Sequence, residues 1–260
     1  MTMRLLPCSL LLCAVLGCAS RQSTATLGES RDLPPEPRAK EAHGKPPVSR
    51  LPRDVVARAA MPFFGIRADG TRLEPERLLR ELSAADFFCV GEQHDNPHHH
   101  WAELRVLRGL LAHAPMRGRE IALGLEMIQL PFQKVVDDYL QWEIDEEELL
   151  DGVEWHERWG YDWGFYRPVV ELARRARLRV LALNTPREPT RRAASEGLDE
   201  LQDDDSLKLP EIDLDDEEHR AWFDKATHGH PTPASDKDGM YEAQVLWDET
   251  MADTAAKHLR

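Results

Sequence analysis

Cysteine is scarce in this chain of 260 residues, and its few copies are unevenly placed. Three of the four cysteines lie within the first 18 residues, and Cys89 is the only one that follows them. The body of the chain therefore has no second cysteine with which to form a disulfide. At this length the chain can bury one substantial core, so we expect packing rather than crosslinks to stabilise it.

A basic surface is also missing. The chain has 33 Lys and Arg against 47 Asp and Glu, which gives a formal net charge of −14. Between Asp199 and Glu218 there are eleven acidic residues and one Lys, so this segment alone carries −10. Nucleic-acid binding needs clustered cations, and this charge pattern therefore argues against a nucleic-acid partner. The acidic segment itself is typical of a solvated loop or a weak helix.

Several common catalytic motifs are absent as well. The sequence has no His-Glu-x-x-His helix, no Gly-x-Ser-x-Gly elbow, no Walker loop and no dinucleotide-binding fingerprint. The most frequent signatures of zinc peptidases, α/β-hydrolases, P-loop enzymes and nicotinamide-dependent enzymes are thereby excluded.

The N-terminus has the pattern of a secretory signal peptide over residues 1–18. Arg4 supplies a positive charge, and Leu5 to Leu16 are almost wholly apolar but too short to span a bilayer, which needs about 20 residues. The segment ends in Val15-Leu-Gly-Cys-Ala-Ser20, which looks like a bacterial lipobox with Cys18 as the lipidated residue. An ordinary cleaved signal peptide is the alternative.

Residues 19–50 fit a disordered tether between such an anchor and a folded domain. They are rich in Ser, Pro, Lys, Arg and Glu and poor in large apolar residues, so they cannot bury enough surface to fold. The domain is expected over residues 51–260. The residue after the lipidated cysteine is Ala19, whereas lipoproteins retained in the inner membrane are associated with Asp at this position. Ala19 therefore favours the outer membrane of a bacterial envelope.

The most informative stretch of the domain runs from Asp86 to Trp101. Phe87 to Val90 form an apolar run typical of a buried strand, and Asp95 or Asn96 can cap a helix that has Pro97 in its first turn. Glu92 and His94 therefore fall in a strand-to-helix turn, where α/β proteins commonly carry their chemistry.

Strands and helices alternate along the rest of the domain, which predicts an α/β fold with a mostly parallel sheet flanked by helices. Further strands are expected at Ile121–Glu126 and Leu178–Asn184. The carboxyl ends of parallel strands meet at one edge, so Glu92, His94, Glu126 and Asn184 could converge there. Glu92, His94 and Glu126 could then hold a divalent metal ion, since imidazole and carboxylates suit Zn, Mn or Fe. Alternatively, Glu126 and Asn184 cap the helices that follow them.

An ordered series of motifs resembles the ChaN-like haem-binding lipoproteins of the haem-binding-uptake and Tiki superfamily. The series covers the chain from about residue 60 to its end, and no single motif in it is decisive. Its members are Gly91-Glu-Gln-His-Asp-Asn-Pro97 with His99, Leu125-Glu-Met127 with Gln133, Trp155 and Trp159 with Tyr166-Arg-Pro168, Ala182-Leu-Asn184 with Pro186, Gly197-Leu198, and Gln244-x-x-Trp247-Asp248-x-x-Met251-Ala252.

The resemblance implies a lipid-anchored envelope protein that binds haem, takes part in haem or iron uptake and forms homodimers with haem at the interface. It also implies a tyrosine as the iron ligand, and the aromatic-rich segment offers Tyr161 or Tyr166, with Arg167 for a propionate. The other residues expected near the cofactor are Trp159, His99, Asn184, Gln244 and Asp248. Core packing is an alternative for the tryptophans, and a structural hydrogen-bond pair is an alternative for Gln244 and Asp248.

The wider superfamily supports a second hypothesis, a metal-dependent hydrolase that uses Glu92, His94 and Glu126. In the family pattern the chain continues into a last strand with a second Gly-x-x-His motif, whereas this sequence stops at Arg260. Either the sequence is truncated or this member lacks half of the expected histidine set, and the question of enzyme or binding protein stays open.

Overall fold

The structure is a computed structural model that describes residues 63–113, 120–202, 207–227 and 237–259. The predicted signal peptide, the lipidation site at Cys18 and the tether over 19–50 lie outside the described residues. Among the described residues, no helix is both long enough and apolar enough to cross a membrane.

Within the described residues, four strands form two small sheets. They are β1 (Gly65–Ile66), β2 (Arg72–Leu73), β3 (Ala122–Gln129) and β4 (Arg179–Asn184). The first two pair antiparallel as a hairpin, and β3 pairs with β4 in parallel. The parallel pair is regular from Ala122 opposite Arg179 to Leu125 opposite Ala182, and irregular from there to Gln129 opposite Asn184.

Helices make up most of the remaining described structure. They are α1 (Pro75–Leu82), α2 (Pro97–His113), α3 (Gln133–Leu140), α4 (Glu146–Gly152), α5 (Trp155–Arg158), α6 (Trp163–Ala176), α7 (Arg187–Glu196), α8 (Asp199–Gln202), α9 (Glu217–Ala226) and α10 (Lys237–Leu259). A 3-10 turn at Leu130–Phe132 joins β3 to α3.

Local sequence explains several helix ends. The side chain of Asp145 accepts a hydrogen bond from the backbone N–H of Glu148, whose own side chain reaches back to Asp145, so α4 begins with a capping box. Asp162 caps α6 in a similar way through the N–H of Gly164. At the end of α7, Gly197 adopts a φ of +91°, which glycine tolerates far better than other residues, and the helix stops there.

The main hydrophobic core lies between the β3–β4 pair and the helices α2 to α6. It contains the fully buried residues Tyr139, Trp155, Tyr166, Ala173 and Val180. A second cluster joins α10 to α7 and α8 around Ala193, Leu201 and Leu246, and a third places Phe223 of α9 on α10. The parallel pair packed against helices confirms the predicted α/β class.

One predicted element is wrong. Phe87 to Val90 belong to no strand of the described residues, and Phe87 and Val90 are 46 % and 47 % exposed. An apolar run becomes a strand only when a neighbouring strand supplies its hydrogen bonds, which composition alone does not show. The predicted strand–turn–helix is therefore an irregular segment that leads into α2.

Candidate functional site

The turn before α2 is held by local hydrogen bonds. The Asn96 side-chain oxygen accepts from the backbone N–H of His98 at 3.0 Å, so Asn96 is the helix cap and Pro97 follows in the first turn. The backbone N–H of Gln93 donates to Nδ1 of His99 at 2.8 Å, and Nε2 of the same ring lies 3.2 Å from Asn96 Nδ2. His99, predicted near the cofactor, thus fastens the turn to the helix.

Glu92 is the centre of a buried polar cluster. Its side chain is only 6 % exposed. The hydroxyl of Tyr166 donates to Glu92 Oε1 at 2.7 Å, and Nδ1 of His94 lies 2.9 Å from the same oxygen. These contacts join the turn before α2 to the first turn of α6, and they fix the orientation of the carboxylate.

α2 supplies the other side of the cluster. His100 and Glu103 are three residues apart on the helix, so they share the face that meets Glu92. His100 Nδ1 lies 2.9 Å from Glu92 Oε2 and 3.5 Å from Glu103 Oε2, while its Nε2 lies 3.1 Å from the carbonyl oxygen of His94. The imidazole also stacks on Phe165 at a centroid distance of 4.9 Å.

The two carboxyl groups affect each other's ionisation. Burial and the neighbouring Glu92 raise the pKa of Glu103 to about 9. Burial also opposes the ionisation of Glu92, but hydrogen bonds from His94, Glu103 and Tyr166 outweigh it, so the pKa of Glu92 is lowered. Burial and the Glu92 carboxylate raise the pKa of the Tyr166 hydroxyl, which keeps it a neutral donor. In the absence of a cation, Glu92 is therefore the charged member of this cluster.

Within the described residues, one group of side chains could hold a metal ion, and it consists of Glu92, His100 and Glu103. One ligand atom from each lies within 4.8 Å of the others. Of the predicted metal set, Glu92 and His94 are in contact. Glu126 lies inside β3, in the irregular stretch between Leu125 and Gln129, and not at a strand end.

The expectation that Glu126 ends its strand is therefore wrong. β3 continues to Gln129, whose side-chain oxygen accepts from Arg158 Nη1 at 2.8 Å and from the backbone N–H of Arg187 at 3.3 Å. Asn184 does end β4 as predicted, and its buried Oδ1 has no hydrogen-bond partner among the described residues.

An aromatic wall flanks the cluster. Trp155 and Trp163 are buried and meet edge to face at 4.9 Å, as the core-packing alternative predicts for two of the tryptophans. Trp159 and Tyr161 are only partly buried, and their rings lie 4.6 Å and 4.9 Å from the ring of His94. The polar cluster therefore reaches a less buried aromatic surface through His94.

The remaining predicted cofactor residues lie in other contacts. Gln244 donates to Asp248 at 3.1 Å, and Asp248 Oδ2 lies 3.0 Å from His219 Nε2, so the hydrogen-bond pair between Gln244 and Asp248 is present. Arg167 pairs with Glu146 at 2.7 Å.

Sequence reasoning did not assign roles to His100, Glu103 or His219. The spacing His100-x-x-Glu103 on a predicted helix was a usable pattern, because residues three apart share a helix face. No local pattern identifies His219, since its partners Asp248 and Tyr241 belong to a separate helix.

The fold and this buried cluster define an α/β protein with a histidine–carboxylate centre beneath an aromatic surface. A profile of the family described as haem-binding uptake, Tiki superfamily, ChaN matches residues 78–260. Because the match spans well over half of the sequence, the chain belongs to this family, as the motif series predicts.

A solved structure supports the same fold. The structure described as "Cofacial heme binding to ChaN of Campylobacter jejuni" is similar with a TM-score of 0.60 and 20 % identity, and the alignment covers 75 % of this chain and 76 % of that one. At this level of identity the likeness shows the fold. No curated protein matches the chain.

Proposed function

We propose that this protein is an envelope-anchored lipoprotein that binds haem and takes part in haem or iron uptake. The observation that carries the proposal is membership of the haem-binding uptake family over residues 78–260. The similar solved protein carries cofacial haem according to its description, and it shares the fold of this chain.

Burial narrows the choice of an iron ligand among the tyrosines. The chain has four of them, and Tyr139, Tyr166 and Tyr241 are at most 3 % exposed. The hydroxyls of Tyr139 and Tyr166 donate hydrogen bonds to Glu171 and Glu92, respectively. Burial is the main cause that raises the pKa values of both hydroxyls. The raised pKa values disfavour the tyrosinate form, which is the form that binds ferric iron. Tyr161 alone of the four is partly exposed, so we propose it as the haem ligand.

The surroundings of Tyr161 suit a large flat cofactor. The Trp159 ring lies 5.7 Å from the Tyr161 ring, and His94 lies between this pair and the polar cluster. Partly exposed aromatic rings supply the apolar contact that haem needs. In this proposal Arg167 exchanges its ion pair with Glu146 for one with a haem propionate. A second copy of the chain, as in the predicted homodimer, covers the exposed face of the cofactor.

A haemin titration followed by Soret absorbance tests this proposal. The wild type is expected to give a saturable, shifted Soret band, with a doubled mass in sedimentation if haem drives dimerisation. Tyr161→Phe removes the iron ligand and is expected to weaken haemin binding by at least about tenfold, a loss of roughly 1.4 kcal/mol of binding free energy.

Tyr241→Phe is the matched control, because it removes a buried hydroxyl far from this segment in the chain and should leave the titration unchanged. If the wild type shows no saturable haemin binding, the haem proposal is wrong. If Tyr161→Phe binds as tightly as the wild type, another residue holds the iron.

The anchor is proposed from the lipobox at Cys18 and from the tether-like composition of residues 19–50. Cys18→Ser is expected to abolish incorporation of labelled fatty acid and to release the protein from the envelope membrane fraction, which in our proposal is the outer membrane. Fatty-acid label on the Cys18→Ser protein would mean that another residue is lipidated, and an unlabelled wild type cleaved elsewhere would favour an ordinary cleaved signal peptide.

A further inference from the structure

Two buried atoms at the centre of the cluster have no hydrogen bond. Glu92 Oε2 and His100 Nδ1 lie 2.9 Å apart as an ion-pair contact, yet neither atom has a hydrogen bond of normal geometry with a described residue. Both side chains are more than nine-tenths buried, at 6 % and 4 % exposure. Buried polar atoms in native proteins nearly always have partners, so this pair requires an explanation.

The second nitrogen of His100 indicates which tautomer a neutral ring adopts. His100 Nε2 lies 3.1 Å from the carbonyl oxygen of His94, which can only accept a hydrogen bond. Nε2 therefore carries the proton, and in a neutral ring Nδ1 presents a lone pair towards the two carboxyl groups. A histidine that ligates a metal ion usually donates its other N–H to a backbone carbonyl or a carboxylate, as His100 does here.

Lysine and arginine side chains of the described residues do not neutralise the carboxyl groups of the cluster. The ion pairs of Glu92 and Glu103 are with His94 and His100, and no Lys or Arg of the described residues pairs with either carboxylate. A buried carboxylate without a cation is costly, and repulsion from it opposes ionisation of the second carboxyl group beside it. A divalent cation would remove both penalties and would give the two orphaned atoms a partner.

We propose that Glu92, His100 and Glu103 bind one divalent transition-metal ion. Two ligand atoms that are each about 2.1 Å from one ion lie about 3.0 to 3.4 Å apart for angles between 90° and tetrahedral. The His100 Nδ1 contacts of 2.9 Å and 3.5 Å fall close to this range. One imidazole and two carboxylates suit Zn²⁺, Mn²⁺ or Fe²⁺ better than Ca²⁺ or Cu⁺.

The site differs from the metal set predicted from the sequence. His94 and Tyr166 hold Glu92 Oε1 and thereby aim Oε2 at His100, so they orient a ligand and are not ligands themselves. Three protein ligands leave open positions that water or an exogenous group can fill. The site lies next to the proposed haem surface, because the ring of His94 contacts both Glu92 and Tyr161.

The test is Zn²⁺ and Mn²⁺ binding to the purified full chain, followed by calorimetry and by metal counting after gel filtration. The wild type is expected to retain one Zn²⁺ per chain. His100→Ala is expected to weaken Zn²⁺ binding by at least about 100-fold, and the near-isosteric Glu103→Gln by at least about tenfold. His98→Ala is the matched control, because His98 precedes the site on the same helix but is exposed; Zn²⁺ binding should be unchanged.

The proposal is wrong if the wild type shows no saturable Zn²⁺ binding, or if Glu103→Gln binds Zn²⁺ as tightly as the wild type. In either case protons, and not a metal ion, would bridge the side chains of the cluster. Circular dichroism of each variant shows whether it is folded, and Glu103→Gln keeps the test decisive if His100→Ala unfolds. A haemin titration of Glu103→Gln separates the two proposals, since loss of Zn²⁺ binding with normal haemin binding concerns this site alone.

Discussion

The described part of the chain contains a histidine–carboxylate cluster at the start of α2 and another between α9 and α10, and the two differ in how many of their polar atoms have hydrogen bonds. At the start of α2, His100 faces the buried carboxylate of Glu92 and the partly buried carboxyl group of Glu103, and two of the cluster's atoms lack a hydrogen bond. Between α9 and α10, His219 lies 3.0 Å from Asp248 and 3.3 Å from the Tyr241 hydroxyl. The other oxygen of Asp248 accepts from Gln244 at 3.1 Å.

The difference separates a candidate binding site from a structural contact. In the α9–α10 cluster both nitrogens of His219, both oxygens of Asp248 and the Tyr241 hydroxyl have partners, so these contacts fasten one helix to the other. In the α2 cluster the same residue types are more buried, and fewer of their polar atoms have hydrogen bonds. Such arrangements lower stability and are typical of functional sites. Residue type and proximity alone would have ranked the two clusters equally.

The largest expected effect concerns Glu103. Glu103→Gln removes one of two adjacent buried carboxyl groups, so we expect the metal-free protein to gain about 1 to 3 kcal/mol of unfolding free energy at neutral pH. Urea denaturation without added metal measures the change. Glu147→Gln, at an exposed position, should stay within about 0.5 kcal/mol of the wild type. A loss of stability in Glu103→Gln would show that the α2 cluster is as well satisfied as the other one.

In the α9–α10 cluster we expect a substitution to lower the free energy of unfolding, and by a smaller amount. Asp248→Asn removes the negative charge beside His219, and we expect a loss of about 1 kcal/mol, typical of a partly exposed ion pair. The hydrogen bond to Asp248 is the first cause that raises the pKa of His219 in the folded state. Its stabilising contribution is therefore fully present below the unfolded pKa of about 6.5 and is lost as the pH rises through the folded value.

Urea denaturation of wild type and Asp248→Asn across that pH range measures this dependence. The difference between the two proteins should be largest near pH 6 and should shrink towards pH 9. A difference that is constant with pH would mean that Asp248 acts through packing or through Gln244 and not through the charge of His219.

Much of the fold could be predicted from local patterns. The helix start at Asn96 and Pro97 is confirmed, and β3 and β4 begin within one residue of the strands predicted at Ile121–Glu126 and Leu178–Asn184. Capping and periodicity act over a few residues, so they are readable in one sequence. The motif series likewise predicted the family, because short motifs in a fixed order can be recognised in a sequence without any knowledge of contacts.

Contacts between distant residues could not be predicted in this way. Phe87–Val90 has the composition of a strand but no strand partner, and Glu126 precedes the true end of β3 by three residues. Among three consecutive histidines, the sequence favoured His99, whereas the packing of α2 on α6 turns His100 to Glu92.

The sequence by itself determined the helical segments, the acidic character, the lipobox pattern and the place of Glu92 and His94 in a turn before a helix. Only the tertiary structure decided which tyrosine is accessible, which histidine meets the buried carboxylates and which polar atoms remain unsatisfied. The physical reason is that burial and hydrogen-bond satisfaction depend on groups brought together from distant parts of the chain, such as Glu92 and Tyr166.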